Sequence, residues 1–200
     1  MDVGRPLSDV VPGARGQLLA TLVDLEEAVT VRALARRAGV APQTALSVVN
    51  DLAAAGLVRT QRAGQAQLVS LNTGHVLAQP LVALARTKAR LAELLRGELA
   101  GWAGLAGAWL FGAAARAGGD RGSVIDLVLV ASTSTELPAW AEATDRLTRQ
   151  VQNWTGNAVQ LIEHSRGSFA LLIRGGNPLV AAIRADGIPL TPGCQSLLRG

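Results

Sequence analysis

Residues 30–58 read TVRALARRAGVAPQTALSVVNDLAAAGLV, and this stretch carries two helical patterns separated by a glycine. Thr30 is a favourable N-cap residue, and the apolar side chains that follow it recur at helical spacing. Gly39 supplies the left-handed backbone that a sharp reversal requires, while Pro42 suits the first turn of the next helix. That helix is expected to stop at Gly56. The predicted helices span residues 31–38 and 42–55.

The segments on either side of this stretch complete a small domain. An earlier helix is predicted over 14–25, where leucine and valine follow helical spacing. After Gly56 the apolar period changes to that of strands, predicted over 57–62 and 67–71. Residues 63–66, which include a glycine, form the predicted turn between them. The order of helix, helix, turn, helix and hairpin is that of a winged helix-turn-helix.

Residues 14–72 resemble bacterial transcription regulators of the MarR and ArsR types. The segments VRALARRAGV (31–40) and NDLAAAGLV (50–58) carry this resemblance. It implies that the third helix enters the major groove of double-stranded DNA and that the hairpin, or wing, lies over the adjacent backbone or minor groove. The implied base contacts come from Gln43, Thr44, Ser47 and Asn50. The implied phosphate contacts come from Arg59, Arg62 and either Arg36 or Arg37.

The charge of this region does not settle its partner by itself. The chain has a formal net charge of +4, and residues 1–75 contain seven arginines against six acidic residues. The predicted third helix has no acid before Asp51 and no arginine or lysine. One such domain is expected to bind DNA weakly, so dimerisation is expected to raise the affinity. Winged helices also serve as protein-docking modules, and this alternative remains open.

The segment 76–100 supplies a candidate dimerisation element. Its leucines, together with Lys88, recur at alternating steps of four and three residues, the spacing of a helical seam. We expect a linker helix that pairs two copies of the chain in a homodimer. The alternative is that this helix packs between the two domains of one chain. The seam contains Leu77, Leu81, Leu84, Leu91 and Leu95.

A second motif follows, with LFGAAAR at 110–116 and SVIDLVLV at 123–130. Its spacing resembles the signature of the DNA polymerase beta type nucleotidyltransferases, in which a Gly-Ser turn precedes a strand opening with Ser-Asp-x-Asp. In that family the turn holds nucleotide phosphates and the aspartates bind the metals used for transfer. The resemblance implies an α/β domain with a mixed sheet over residues 101–200.

The residues of this motif that carry chemistry are largely replaced. Ala113 stands where the family has serine, Val124 stands for the first aspartate, and Asp126 is retained. Gln160 is the best match to the third carboxylate, although Glu163 is open as a displaced acid. A two-metal site needs several carboxylate oxygens, so we expect this degenerate metal site to hold no metal and to be non-catalytic.

The turn itself keeps backbone amides that could hold a phosphate or nucleotide, with Arg116 close by. Asp126 is interpreted as a relic that bonds to these amides or to Arg116, or else as a residual metal ligand. The candidate phosphate-binding residues are Gly112, Ala113, Ala114 and Arg116.

Composition limits the number of domains and the kinds of site that the chain can form. The chain has 200 residues, of which 49% are hydrophobic and 17% charged, enough for one or two packed domains. Cys194 is the only cysteine and there are two histidines, so a Cys/His zinc site is not expected. No cofactor is expected.

The apolar stretch 99–115 is predicted to be a helix end, a loop and a buried strand because four glycines interrupt it. With no apolar leader at the start, we expect a cytoplasmic protein.

The resulting expectation is an α+β chain with three parts. A winged helix-turn-helix occupies residues 1–75, the linker helix 76–100, and the nucleotidyltransferase-like domain 101–200. The preferred hypothesis is a DNA-binding transcriptional regulator whose second domain is a non-catalytic sensor or dimerisation module. The alternatives are an active nucleotidyltransferase of the toxin-antitoxin type and a protein-binding scaffold.

Overall fold

The computed structural model of the protein describes residues 1–116, 122–132 and 138–199. Contacts divide the chain into two compact units. The first unit is Arg5–Thr87, and the second combines Met1–Gly4 with Lys88–Gly200. The segment assigned to a linker is therefore shared between the two units.

The first unit combines helices with an antiparallel sheet ordered β1-β3-β2. Val29 and Thr30 of β1 pair with Val69 and Leu68 of β3. The elements are α1 (Pro6–Val10), α2 (Ala14–Val23), β1 (Val29–Thr30), α3 (Val31–Ala38), α4 (Pro42–Ala54), β2 (Val58–Ala63), β3 (Ala66–Leu71) and α5 (Ala78–Ala85).

Local sequence explains the two central helices. The Ala33 amide donates to Thr30 Oγ1 at 3.1 Å, which caps the start of α3. Gly39 ends that helix with φ +67°, in the left-handed region that glycine adopts without a steric penalty. Pro42 is the first residue of α4. These three predictions are confirmed, and the predicted hairpin is confirmed with β2 and β3 joined at the Ala63–Ala66 pair.

The predicted single helix over 76–100 is wrong, because α5 ends at Ala85 and a separate helix, α6 (Thr87–Leu99), follows it. The Thr87 hydroxyl donates to the Leu84 carbonyl at 2.6 Å, a local side-chain bond that competes with continued helix. The last two leucines of the seam do not form a free surface either. Leu91 and Leu95 are 3% and 0% exposed in the core of the second unit.

The second unit contains a mixed sheet ordered β6-β5-β4-β7. Strand β5 runs antiparallel to β4 and parallel to β6, and β7 runs antiparallel to β4. After α6, the described elements are β4 (Leu105–Phe111), α7 (Gly112–Ala115), β5 (Ile125–Ala131), α8 (Pro138–Thr155), β6 (Val159–Ser165), α9 (Arg166–Arg174), α10 (Pro178–Asp186), β7 (Ile188–Pro189) and α11 (Cys194–Leu197).

The two faces of this sheet belong to different hydrophobic clusters. Leu127 and Leu129 of β5 share a buried cluster with residues of α6 and α8. Val128 and Val130 belong instead to a cluster that includes Phe169 of α9. This alternation follows from the two-residue period of a strand, and it decides which side chains can meet at the altered motif.

The apolar stretch 99–115 is a helix end, a loop and a buried strand, as predicted, since α6 ends at Leu99 and β4 begins at Leu105. Among residues 1–116, 122–132 and 138–199, no helix combines the length and apolar character needed to cross a bilayer.

Candidate nucleic-acid interface and the altered motif

Helix α4 presents one buried face and one polar, exposed face. Ala45, Val49 and Leu52 are at most 2% exposed and pack in the core of the first unit. The polar residues lie on the opposite side because the helix turns by 100° per residue. All four predicted base-contacting residues are exposed to solvent: Gln43, Thr44, Ser47 and Asn50.

Arginines lie on the helix that precedes α4. Arg36 and Arg37 are exposed in the last turn of α3, and Arg32 is exposed in its first turn. The predicted phosphate contacts included Arg36 and Arg37 but not Arg32. Arg32 lines a cleft beside α4, a position that sequence spacing alone does not reveal.

That cleft lies between the start of α4 and the wing and measures about 690 Å³. Arg32 comes from α3, Gln43 and Leu46 come from α4, and the wing contributes residues 65–67. The cleft thus joins one predicted base-contacting residue, Gln43, to an arginine and to the wing.

The two arginines of the wing have different surroundings. Arg59 and Arg62 are three residues apart on the regular strand β2, so their side chains leave opposite faces of the hairpin. Arg59 Nε donates to Asn72 Oδ1 at 3.1 Å, and Asn72 Nδ2 donates to the Gly56 carbonyl at 2.8 Å. Arg59 is therefore held at the base of the wing.

An ion pair at α4 was missed by sequence reasoning. Arg15 of α2 lies with its Nη2 3.2 Å from Asp51 Oδ2. The two residues are 36 positions apart, and no spacing in the sequence links them. The pair supplies a positive charge next to the acidic residue of the predicted recognition helix.

Residues 11–66 match the MarR family. The match covers α2 to the start of β3 and supports the winged-helix part of the chain as that of a DNA-binding transcriptional regulator. A search of curated proteins and a search of solved structures found no match.

At the altered motif of the second unit, Asp126 lies on β5, which is paired with β4 on one side and with β6 on the other. It is opposite Phe111 on β4 and opposite Gln160 on β6. Its Oδ2 lies against Gly112, which has φ +70°, so a side chain at this position would strain the backbone and force the carboxylate to shift. Burial raises the pKa of the Asp126 carboxyl above 3.8, and the positive charge of Arg116 partly offsets this.

The donors at this motif do not fit a two-metal site. Val124, half-buried before β5, offers only hydrocarbon, and Gln160 offers a neutral amide. Asp126 is the single carboxylate at the three aligned positions. Across the described parts of the chain, no group of three or more His, Cys, Asp or Glu side chains could hold a metal ion.

The interpretation of Glu163 as a displaced acid is wrong. Glu163 is three residues from Gln160 on β6, so the two side chains leave opposite faces of the sheet. Glu163 Oε2 accepts a hydrogen bond from Trp140 Nε1 of α8. This carboxylate therefore lies on the α8 side and cannot share a site with Asp126.

Arg116 has a partner that the sequence did not indicate. Its Nη1 lies 3.2 Å from Asp186 Oδ2, the last residue of α10. Both side chains remain partly exposed. The candidate phosphate-binding residues Ala113 and Ala114 lie in the four-residue helix α7, where Ala114 is only 3% exposed. An anion at this turn would also face the Asp126 carboxylate.

Proposed function

We propose that the protein is a transcriptional regulator that binds specific double-stranded DNA through α4 and the wing. The observation that carries this proposal is the exposed polar face of α4 within the segment that matches the MarR family. Amide and hydroxyl side chains on such a face reach base edges in the major groove. Arg62 and the arginines of α3 supply the phosphate contacts.

The second unit is proposed to be a degenerate nucleotidyltransferase-like domain that acts as a sensor or dimerisation module without catalysis. Support comes from the mixed sheet and from Asp126 lying beside Gln160, with valine and alanine at the other motif positions. Any phosphate held at Gly112–Ala114 is expected to bind weakly, because the Asp126 carboxylate lies against Gly112.

We also propose that the protein acts as a homodimer in the cytoplasm. The exposed face of α4 lacks arginine and lysine, so two linked domains are needed for tight binding. The interface does not use Leu91 or Leu95, which are buried within one chain. Light scattering of the purified protein at micromolar concentration should give twice the 20.7 kDa chain mass; a single-chain mass would contradict this.

The DNA-binding proposal is tested by selection. The purified full-length protein is mixed with a randomised duplex library, and bound fragments are amplified and sequenced over several rounds. We expect a short repeated or palindromic sequence, whose affinity falls as salt rises because phosphate contacts release counterions. Fragments without a shared sequence would contradict the proposal.

The second unit is tested with labelled nucleoside triphosphates, magnesium or manganese, and candidate protein and small-molecule acceptors. We expect no transfer, and we expect Asp126→Asn to bind nucleotide more tightly than the unmodified protein. Transfer that disappears in Asp126→Asn would instead establish the enzyme alternative.

A further inference from the structure

Leu46 is the large hydrophobic side chain that α4 exposes to solvent. It is 37% exposed, whereas the core face of the helix is already filled by Ala45, Val49 and Leu52. A single exposed leucine is ordinary on a protein surface. This one lies one helical turn after Gln43 and one turn before Asn50, among the residues proposed to contact bases.

The surroundings of Leu46 show where its side chain is available. It lines the 690 Å³ cleft together with Arg32, Gln43 and the wing residue Gln67. Its apolar surface is therefore framed by side chains that carry hydrogen-bond donors. A DNA strand held by these donors would bring base edges within reach of the leucine.

The groups that bases present in the major groove indicate which of them Leu46 would contact. Each base presents a distinct set of groups there, and only thymine presents a methyl group. A leucine offers no hydrogen bond, so an adenine, guanine or cytosine edge gains little from it. We propose that Leu46 is a specificity-determining residue that contacts the 5-methyl group of a thymine on the wing side of the bases read by Gln43 and Asn50. This inference rests on the proposed function.

The test uses the duplex selected from the randomised library. Each thymine is replaced singly by deoxyuridine, which removes the methyl group and leaves the pairing edge unchanged. Full-length protein is titrated against each duplex by fluorescence anisotropy. We expect one thymine per half-site at which the replacement raises Kd about fourfold, the equivalent of one buried methyl group.

Variants assign this sensitivity to the leucine. In Leu46→Asn the thymine and uracil duplexes should bind equally, whereas Leu46→Met keeps an apolar side chain and should keep the discrimination. The matched control is Leu171→Asn, at a leucine of α9 that is 63% exposed, and it should behave like the unmodified protein. Thermal unfolding of each variant confirms that the fold is retained.

If every uracil duplex binds like its thymine parent, or if Leu46→Asn keeps the fourfold difference, the role of Leu46 is overturned while specific DNA binding stands. A selected sequence without an invariant thymine overturns it as well. Failure to select any sequence overturns the proposed function itself.

Discussion

Arg15 on α2 and Asp51 on α4 form an ion pair, with 3.2 Å between Nη2 and Oδ2. Their side chains are 49% and 60% exposed, so the pair adds little to the stability of the fold. Asp51 directly follows Asn50 and is the acidic residue of the proposed recognition helix. The pair lowers the repulsion that this carboxylate would exert on DNA phosphates.

Arg15→Ala should therefore weaken binding to every duplex, and adding Asp51→Ala should restore part of the lost affinity. The expected change in unfolding free energy is under about 1 kcal/mol, as for other exposed pairs. Anisotropy titrations at fixed salt measure the affinities. Arg90→Ala, which breaks the exposed pair with Glu93 in the second unit, is the control. A double variant that binds no better than Arg15→Ala would contradict this role.

The wing arginines should differ in effect. Arg62→Ala should raise Kd equally for the selected duplex and a scrambled one, and lower the salt slope by about 1. Arg59→Ala should do less, because its Nε is held by Asn72 and its side chain leaves the other face. Arg174→Ala, at an exposed arginine of α9, is the control. Equal increases in Kd for Arg59→Ala and Arg62→Ala would contradict the different roles assigned to the two arginines.

Leu95→Ala should destabilise the second unit and leave the oligomeric state unchanged. The leucine is fully buried, and removing such a side chain costs roughly 2–5 kcal/mol. Leu171, which lies on α9 of the same unit and is 63% exposed, is the control, and Leu171→Ala should change stability by no more than about 0.5 kcal/mol. Urea unfolding followed by tryptophan fluorescence reports this unit, since all four tryptophans lie beyond residue 100. If Leu95→Ala were a stable monomer by light scattering, the leucine seam of residues 76–100 would be the dimer interface after all.

Asp126 should make stability depend on pH in the acidic range. Because burial raises its folded pKa above 3.8, the folded state binds this proton more tightly than the unfolded chain. The resulting stabilisation is present below pH 3.8 and is lost as pH rises through the raised pKa. The side chain of Asp126→Asn does not titrate, so this variant does not lose stability as pH rises. Its free energy of unfolding relative to that of the unmodified protein should increase as pH rises through the raised pKa and should remain higher at neutral pH.

Thermal unfolding of both proteins across this pH series measures the difference. An Asn variant that is less stable at neutral pH would show that the attraction of Arg116 exceeds the cost of burial.

Local signals predicted much of the fold. Thr30, Gly39 and Pro42 set the helix boundaries through backbone requirements that act within a few residues. The alternation of side chains along a strand also argues against Glu163 as a ligand. Glu163 is three residues from Gln160, so the two side chains lie on opposite faces of the sheet. The sequence alone therefore separates Glu163 from Gln160 once β6 is recognised as a strand.

Other features depend on contacts between distant parts of the chain. The leucines at 91 and 95 have the same spacing whether they face another subunit or the core of their own unit, so periodicity could not distinguish the two. Arg15 meets Asp51 only after α2 and α4 have packed. The short elements α1, β7 and α11 carry too few residues to show a period.

The central claim, that α4 reads base edges, is tested most directly by the ratio of Kd values for the scrambled and selected duplexes. We predict that Gln43→Ala or Asn50→Ala leaves binding to the scrambled duplex unchanged and removes about 1–3 kcal/mol of discrimination at one base pair. The account would be contradicted if the unmodified protein bound both duplexes equally, or if each variant lost affinity equally for both.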